Sequence, residues 1–403
     1  MRILLYGGSF NPPHLGHIRS VQTAADALKP DRTFLIPAAI PPHKRLAAGS
    51  PSPEQRLEMA ALAAEEIPGC EASDMELRRT GPSYTSDTLR QLRELYPTAE
   101  LVFLMGTDML LSLESWHEPE VILSLSSVAV FARGTGREQE ISAQAARLRE
   151  KYGAAVTVLE GRPVPVSSTC VRGLLPERKG REYLTDGVYA YIIRHRLYGA
   201  RPELAWLRER AYAYLKPTRV EHVRGAEAMA RRLALRWGAD QSDAAEAAIL
   251  HDCTKKYDRD GQLRICEKYG IIPDKWELAN DRLLHARTGA AFAADQFGAP
   301  EHIASAIRWH TTGRPDMTLL EQIVFLADAI EENRRPYPAL ELIRREAFQD
   351  LDGATELCLR RTLAFLEEQG ETIHPDTART REFYLKKLED KGVPPIRWTA
   401  QDQ

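Results

Sequence analysis

The chain has 403 residues, 54 basic against 57 acidic side chains, a net charge of −3 and a pI near 6.4. Its length exceeds one ordinary core, so two domains of about 200 residues each are expected. With 43% hydrophobic and 28% charged residues it has the composition of a globular protein without the positive field that recruits nucleic acid, so any anionic ligand must be held by local groups.

The run Met1-Arg2-Ile3-Leu4-Leu5-Tyr6-Gly7-Gly8 is too briefly apolar for a signal peptide and reads as a strand entering a glycine turn. Strands are predicted at 2–6, 33–36, 101–105, 128–131 and 156–159, with amphipathic helices at 18–28, 54–66, 86–95 and 141–152. Such alternation predicts an α/β, Rossmann-like domain: a parallel sheet with crossover helices, whose ligands sit at the carboxyl ends of the strands. Tyr198-Gly199-Ala200-Arg201-Pro202 then punctuates the chain, and the text beyond is helical, with breaks at Gly238, Gly270 and Gly298-Ala299-Pro300. An α/β domain over 1–199 and an all-α domain over 200–403 follow. No stretch of about 18 apolar residues is present to span a membrane. The five cysteines are scattered without a C-x-x-C pair, as expected of reduced thiols in a cytoplasmic protein.

Two groups of residues carry chemistry. The first strand runs into Gly7-Gly8-Ser9-Phe10-Asn11-Pro12-Pro13-His14-Leu15-Gly16-His17. Glycines let the backbone approach a polyphosphate, a helix start offers unpaired N–H groups, and two imidazoles three residues apart share a helix face. That set suits charge stabilisation on a phosphoryl group in transfer. Far downstream, Ser167-Ser168-Thr169-Cys170-Val171-Arg172 supplies cap hydroxyls and, one turn after Ser168, a guanidinium. Alone this is an ordinary helix start; beside the histidine loop it becomes a second phosphate clamp.

In the second half His222, His251, Asp252, His285, His310 and Asp328 lie in or beside helical text, and the segments preceding His251-Asp252 and Asp328 are nearly all apolar. A buried carboxylate is costly unless it is paired or on a metal. Imidazole and carboxylate donors, with no suitably placed cysteine, suit iron, manganese, zinc or another borderline divalent ion.

These motifs carry two resemblances. Residues 1–199 resemble bacterial nicotinate-nucleotide adenylyltransferase, of the H-x-G-H nucleotidyltransferase superfamily. The likeness rests on His14-Leu15-Gly16-His17, Pro42-His43-Lys44, Pro82-Ser83-Tyr84-Thr85-Ser86-Asp87-Thr88, Gly106-Thr107-Asp108 with Trp116, and the segment from Ser167 to Arg172. His117 stands where relatives often carry another aromatic. The resemblance implies transfer of AMP from ATP to nicotinate mononucleotide, with Mg²⁺ assisting. It places His14, His17, Ser168 and Arg172 on the triphosphate and Gly7, Gly8 and Ser9 under the nucleotide. Asp108 of the Gly106-x-Asp108 element would accept ribose hydroxyls, and Lys44, Thr85 and Trp116 would face the nicotinate nucleotide. Other nucleotidyltransferases of the same fold, such as a cytidylyltransferase, are disfavoured by the 82–88 segment and Trp116.

Residues 203–385 resemble the HD-domain phosphohydrolases. His222, His251-Asp252 and Asp328 reproduce the order H…HD…D, and His285 and His310 match subclasses that hold two metals. The segments 250–256, 307–313 and 326–331 resemble, more narrowly, a bacterial family that cleaves diadenosine tetraphosphate symmetrically to two ADP; Cys253 and Glu332 depart from its pattern. The resemblance implies a binuclear centre of iron or manganese, with Lys256 and Arg334 as phosphate-binding residues beside the further candidates Lys255 and Arg308. A nucleotidase of other specificity, or a metal-bound nucleotide-sensing module, is the alternative. The implied partners are small molecules, not nucleic acid or membrane, and a homo-oligomer is left open.

Overall fold

The computed structural model describes residues 1–42, 45–131, 136–161 and 164–398, and the chain divides into two compact units, Met1–Arg201 and Pro202–Gln403. The first unit is built on a parallel sheet of β1 (Arg2–Gly8), β2 (Arg32–Pro37), β3 (Cys70–Ala72), β4 (Glu100–Met105), β5 (Ser127–Phe131) and β6 (Val156–Leu159). Its order is β3-β2-β1-β4-β5-β6, the doubly wound arrangement in which sheet growth reverses between β1 and β4. Loops leaving those two strands diverge and open a cleft between them. Ile3, Leu4 and Leu5 of β1 and the run Leu101 to Met105 of β4 are buried without alternation, as strands covered on both faces must be.

All five predicted strands are present, with ends shifted by at most two residues, and the four long helices open up to three residues earlier than predicted. β3 is additional. Three residues at a sheet edge, two of them half-buried and one exposed, give no alternation long enough to register in the sequence.

The second unit contains helices and no strand among the described residues. Leu233, Ile323, Leu326, Leu357 and Tyr384 belong to its buried core. Capping fixes the register of two helices that deliver site residues. The Asp240 carboxylate accepts from the Ser242 and Asp243 amides at 2.7 and 2.9 Å to open Gln241–Leu250. A reciprocal pair between Thr318 and Glu321 opens Leu319–Ile330. Among the described residues no helix is long and apolar enough to cross a membrane.

Candidate functional site

In the first unit, the loop after β1 turns left-handed at Phe10 (φ 44°) and leads into the helix Leu15–Leu28, of which His14 is the N-cap. His17 therefore occupies the third helical position. Its Nδ1 accepts the His14 backbone amide at 3.1 Å, and the two rings stack with centroids 3.7 Å apart. Burial lowers His14 to about 4; burial, then the neighbouring His14, holds His17 well below the ordinary histidine value. Both rings are thus neutral at pH 7. With Nδ1 of His17 an acceptor, its single proton lies on Nε2, which becomes a hydrogen-bond donor. Gly16 makes the stack feasible, because a Cβ there would lie 2.9 Å from His14 Nδ1.

Ser168 and Arg172 grip this same loop. Ser168 Oγ donates to the Pro12 carbonyl at 2.8 Å, and Arg172 Nη1 to the Asn11 carbonyl at 2.6 Å. The Asn11 side chain is held in turn by the Tyr198 hydroxyl at 2.8 Å and Ser50 at 2.8 Å. Sequence reasoning missed Arg56. Its side chain is fully buried and donates to the carbonyls of Ser9, Ala38 and Ala39 at 2.9, 2.6 and 3.0 Å. It joins the loop after β1 to the loop after β2, and nothing in the helical text around it marks it out.

A cleft of 330 Å³ brings together Gly7, Gly8, Ser9, His17, Thr85, Gly106 and Trp116, at the switch point where such sheets bind ligands. Trp116 packs edge-on to Phe103 at 6.4 Å, and His117 stacks on Tyr84 at 4.1 Å. Glu76, which the sequence reading did not single out, also lines the cleft. Burial raises its carboxyl to about 7, while the Thr88 hydroxyl donates to it at 2.6 Å. Asp108 lies outside the cleft lining and pairs with Arg137 at 2.6 Å on the surface. Lys44 falls outside the described residues.

In the second unit all six singled-out residues sit at or beside helix ends. His222 is in the first turn of Val220–Trp237, and His285 in that of Leu284–Phe297. His251 and His310 cap Gln241–Leu250 and Glu301–Trp309, Asp252 follows His251, and Asp328 is in the last turn of Leu319–Ile330. A local device recurs three times: the Nδ1 of His251, His285 and His310 donates to the carbonyl three residues earlier, at 2.6, 2.5 and 2.6 Å. His222 Nδ1 lies 3.1 Å from a carboxylate oxygen of Glu331, which is buried. With every Nδ1 engaged, the four Nε2 atoms face inward, and there, against the lowering effect of burial, the Asp252 and Asp328 carboxylates raise His251 to about 9.

Those atoms converge around Asp252. On one side Nε2 of His222 and of His251 lie 3.7 and 3.4 Å from Asp252 Oδ2, and 3.0 and 3.6 Å from Asp328 Oδ1. On the other, Nε2 of His285 and of His310 lie 3.3 and 3.9 Å from Asp252 Oδ1. Two triads, His222–His251–Asp328 and His251–Asp252–His310, have the mutual spacing of metal ligands. Imidazole nitrogens and buried carboxylates are a donor set that fits a borderline divalent cation, and Asp252 faces both groups of histidines. Burial pushes His285 and His310 below the ordinary value, which keeps their lone pairs free. Against the cost of burial, His251 and Lys255 hold Asp252 well below the usual carboxylate range, and Arg334 and His222 do so for Asp328.

Around this group Arg219 pairs with Asp252, Lys255 reaches Asp252 Oδ1 at 3.1 Å, and Arg334 reaches Asp328 Oδ1 at 2.9 Å. Lys256 is not brought in: its Nζ donates to the Ala213 carbonyl at 3.1 Å and lies over the Tyr214 ring. Arg308 is exposed on the wall of a separate cavity. Glu331 and Arg219 were missed as participants. A Cβ at Gly225 would overlap the Glu331 carboxylate, so that glycine makes room for the group orienting His222.

A cytidylyltransferase-like family model matches residues 5–174, and an HD-domain model matches residues 219–333. A protein of Shewanella sp. strain MR-4, named "probable nicotinate-nucleotide adenylyltransferase", is 38% identical over 213 residues, covering 49% of this chain and 99% of that protein. One of the same name from Geobacter metallireducens is 37% identical, covering 49% and 98%. A crystal structure described as a predicted HD superfamily hydrolase involved in NAD metabolism, from Clostridium acetobutylicum, aligns at 30% identity. Its TM-score is 0.44, and the alignment covers 45% of this chain and 97% of that one. Through its first unit, matched along nearly the whole length of such relatives, the chain belongs to the nicotinate-nucleotide adenylyltransferase family, and its second unit carries an HD domain.

Proposed function

We propose that the first unit transfers AMP from ATP to nicotinate mononucleotide, releasing pyrophosphate and forming deamido-NAD. The observation that carries this reading is His17 on the wall of the switch-point cleft, stacked on His14, with its Nε2–H left as a donor. The nucleophile is the mononucleotide phosphate, whose second pKa, by analogy with a phosphorylated side chain, is about 6, so that it is largely dianionic at pH 7 without a protein base. The protein's task is in-line placement and neutralising charge on the departing pyrophosphate. His14, His17, Ser168 and Arg172 take the triphosphate, Gly7, Gly8 and Ser9 lie beneath the nucleotide, and Thr85, Trp116 and Lys44 face the pyridine nucleotide. Asp108 would meet the ribose only after leaving Arg137. Mg²⁺ assists by neutralising phosphate charge.

For the second unit we propose symmetric hydrolysis of diadenosine tetraphosphate to two ADP. Support comes from the six converging donors shared across Asp252 and from the narrow motif resemblance. His222, His251, Asp252 and Asp328 would hold one ion, and His285 and His310 with Asp252 a second, iron or manganese by donor type. Such ions supply Lewis acidity toward water and toward phosphoryl oxygen. Arg334, beside Asp328, would meet a phosphate; Lys256 would have to swing away from Ala213. The second reading, a nucleotidase of other specificity, is favoured by the departures at Cys253 and Glu332.

The test uses the full chain. Deamido-NAD should form from ATP and nicotinate mononucleotide, and equal activity with CTP would remove the assignment. With diadenosine tetraphosphate and divalent iron or manganese, ADP alone supports the symmetric cut; AMP with ATP indicates attack at another phosphorus.

A further inference from the structure

A cavity of 680 Å³ in the second unit is walled by Arg219, His222 and Arg334 of the candidate metal group and by Arg335, Arg361 and Phe365. Its volume lies in the range of small-molecule sites, roughly 300–1,000 Å³. Glu331 is the one acidic side chain among the wall residues, and it is already engaged by His222 Nδ1 and the Asn333 amide. With Arg219 and Arg334 paired to Asp252 and Asp328, the wall's excess positive charge lies with Arg335 and Arg361.

Arg361, on the helix Leu351–Gln369, stands out within it. Its side chain is 11% exposed and faces Glu368 only at 3.9 Å, beyond hydrogen-bond length. Its Nε and Nη1 are buried with no hydrogen-bond partner among the described residues. It lies over the rings of Phe365 and Trp398 at 5.7 and 5.6 Å, which tolerate the charge but offer no acceptor. Arg219 and Arg334, by contrast, each have a carboxylate. A buried guanidinium without acceptors is costly to keep, and an anion entering the cavity would supply them in the planar geometry that arginine favours. Phe365, 46% exposed on the same wall, offers a flat apolar face of the kind on which nucleobases stack.

We propose that Arg361 forms an anion subsite for a nucleoside polyphosphate, taking a phosphate remote from the one that reacts at the metal group, with Phe365 as the platform for the base. This rests on the hydrolase reading of the HD unit and names the substrate contact that reading lacks.

The test follows hydrolysis of diadenosine tetraphosphate by the full chain, with inorganic tripolyphosphate as competitor. Arg361→Met should raise KM and the tripolyphosphate inhibition constant at least tenfold with kcat changed less than threefold, and Arg361→Lys should recover part of the loss. Both constants within twofold of wild type in folded Arg361→Met would overturn the subsite. Should that variant fail to fold, Arg361→Gln repeats the comparison, with the same rise expected and no rise overturning the subsite. If the chain cleaves no dinucleotide, the hydrolase reading fails by itself. A crystal of the full chain soaked in tripolyphosphate then decides the subsite: anion density against Arg361 supports it, and its absence there overturns it.

Discussion

His17 Nδ1 accepts the His14 backbone amide at 3.1 Å, so the motif's own backbone selects the tautomer its side chain uses. A donor fixed on Nε2 contributes most where phosphate charge develops. His17→Ala should lower kcat for deamido-NAD formation by roughly 10²–10³ and change KM for ATP by a few-fold at most. Steady-state kinetics checks this, and equal losses in kcat and affinity would make His17 a ground-state contact instead.

Glu76 gives the first unit a signed pH dependence. Burial raises its carboxyl from 4.5 to about 7, so the protonated form favours the fold. That contribution is complete below the unfolded value and is lost as pH rises through about 7. Glu76→Gln keeps an acceptor for Thr88 but cannot ionise. Between pH 5 and pH 8 the variant's melting temperature should therefore climb relative to wild type, by roughly 2–4 °C for each kcal/mol involved. A constant difference across that range would remove Glu76 as the source.

Asp252 touches both halves of the metal group. Asp252→Ala should leave the purified chain with almost no divalent metal by elemental analysis and abolish phosphohydrolysis, while deamido-NAD synthesis continues. His285→Ala should retain one ion per chain. Two ions in that variant would remove His285 as a ligand of the second ion, and loss of adenylyl transfer in folded Asp252→Ala would end the independence of the two activities.

Glu331 meets the candidate centre at His222 Nδ1. Groups in this position typically tune metal affinity by about 10–100-fold. In a chelator competition Glu331→Ala should weaken binding by that order, whereas an exposed control such as Glu341→Ala should bind as wild type.

Much of this was legible before any coordinates. The strands of the first unit announce themselves as short apolar runs such as Leu101 to Met105, because burial on both faces leaves no polar position. The helical character of the second unit is equally plain in stretches such as Ala244 to Leu250. Spacing also brought forward the histidines and aspartates that converge, since chemistry restricts residue type. What stayed hidden were groups whose role arises only from tertiary approach. Arg56 looks like any helix arginine until three carbonyls from two loops close on it. Arg361 and Gly225 lie in ordinary text, and Glu331 closes a family segment without a role of its own there; each acquires meaning from a cavity wall or from a neighbour over a hundred positions away. Lys256 illustrates the converse: it stands in a segment that carries the family resemblance, but in the turn after the Gln241–Leu250 helix its ammonium goes to the Ala213 carbonyl.

The buried guanidinium of Arg56 has a consequence for how the first cleft meets its ligands. The two loops it joins acquire their spacing when the chain folds, so the entropy of arranging them is not charged to the nucleotide on arrival. Recognition there is a property of a pre-shaped edge of the sheet, and the temperature at which that edge frays should also be the temperature at which nucleotide selectivity is lost.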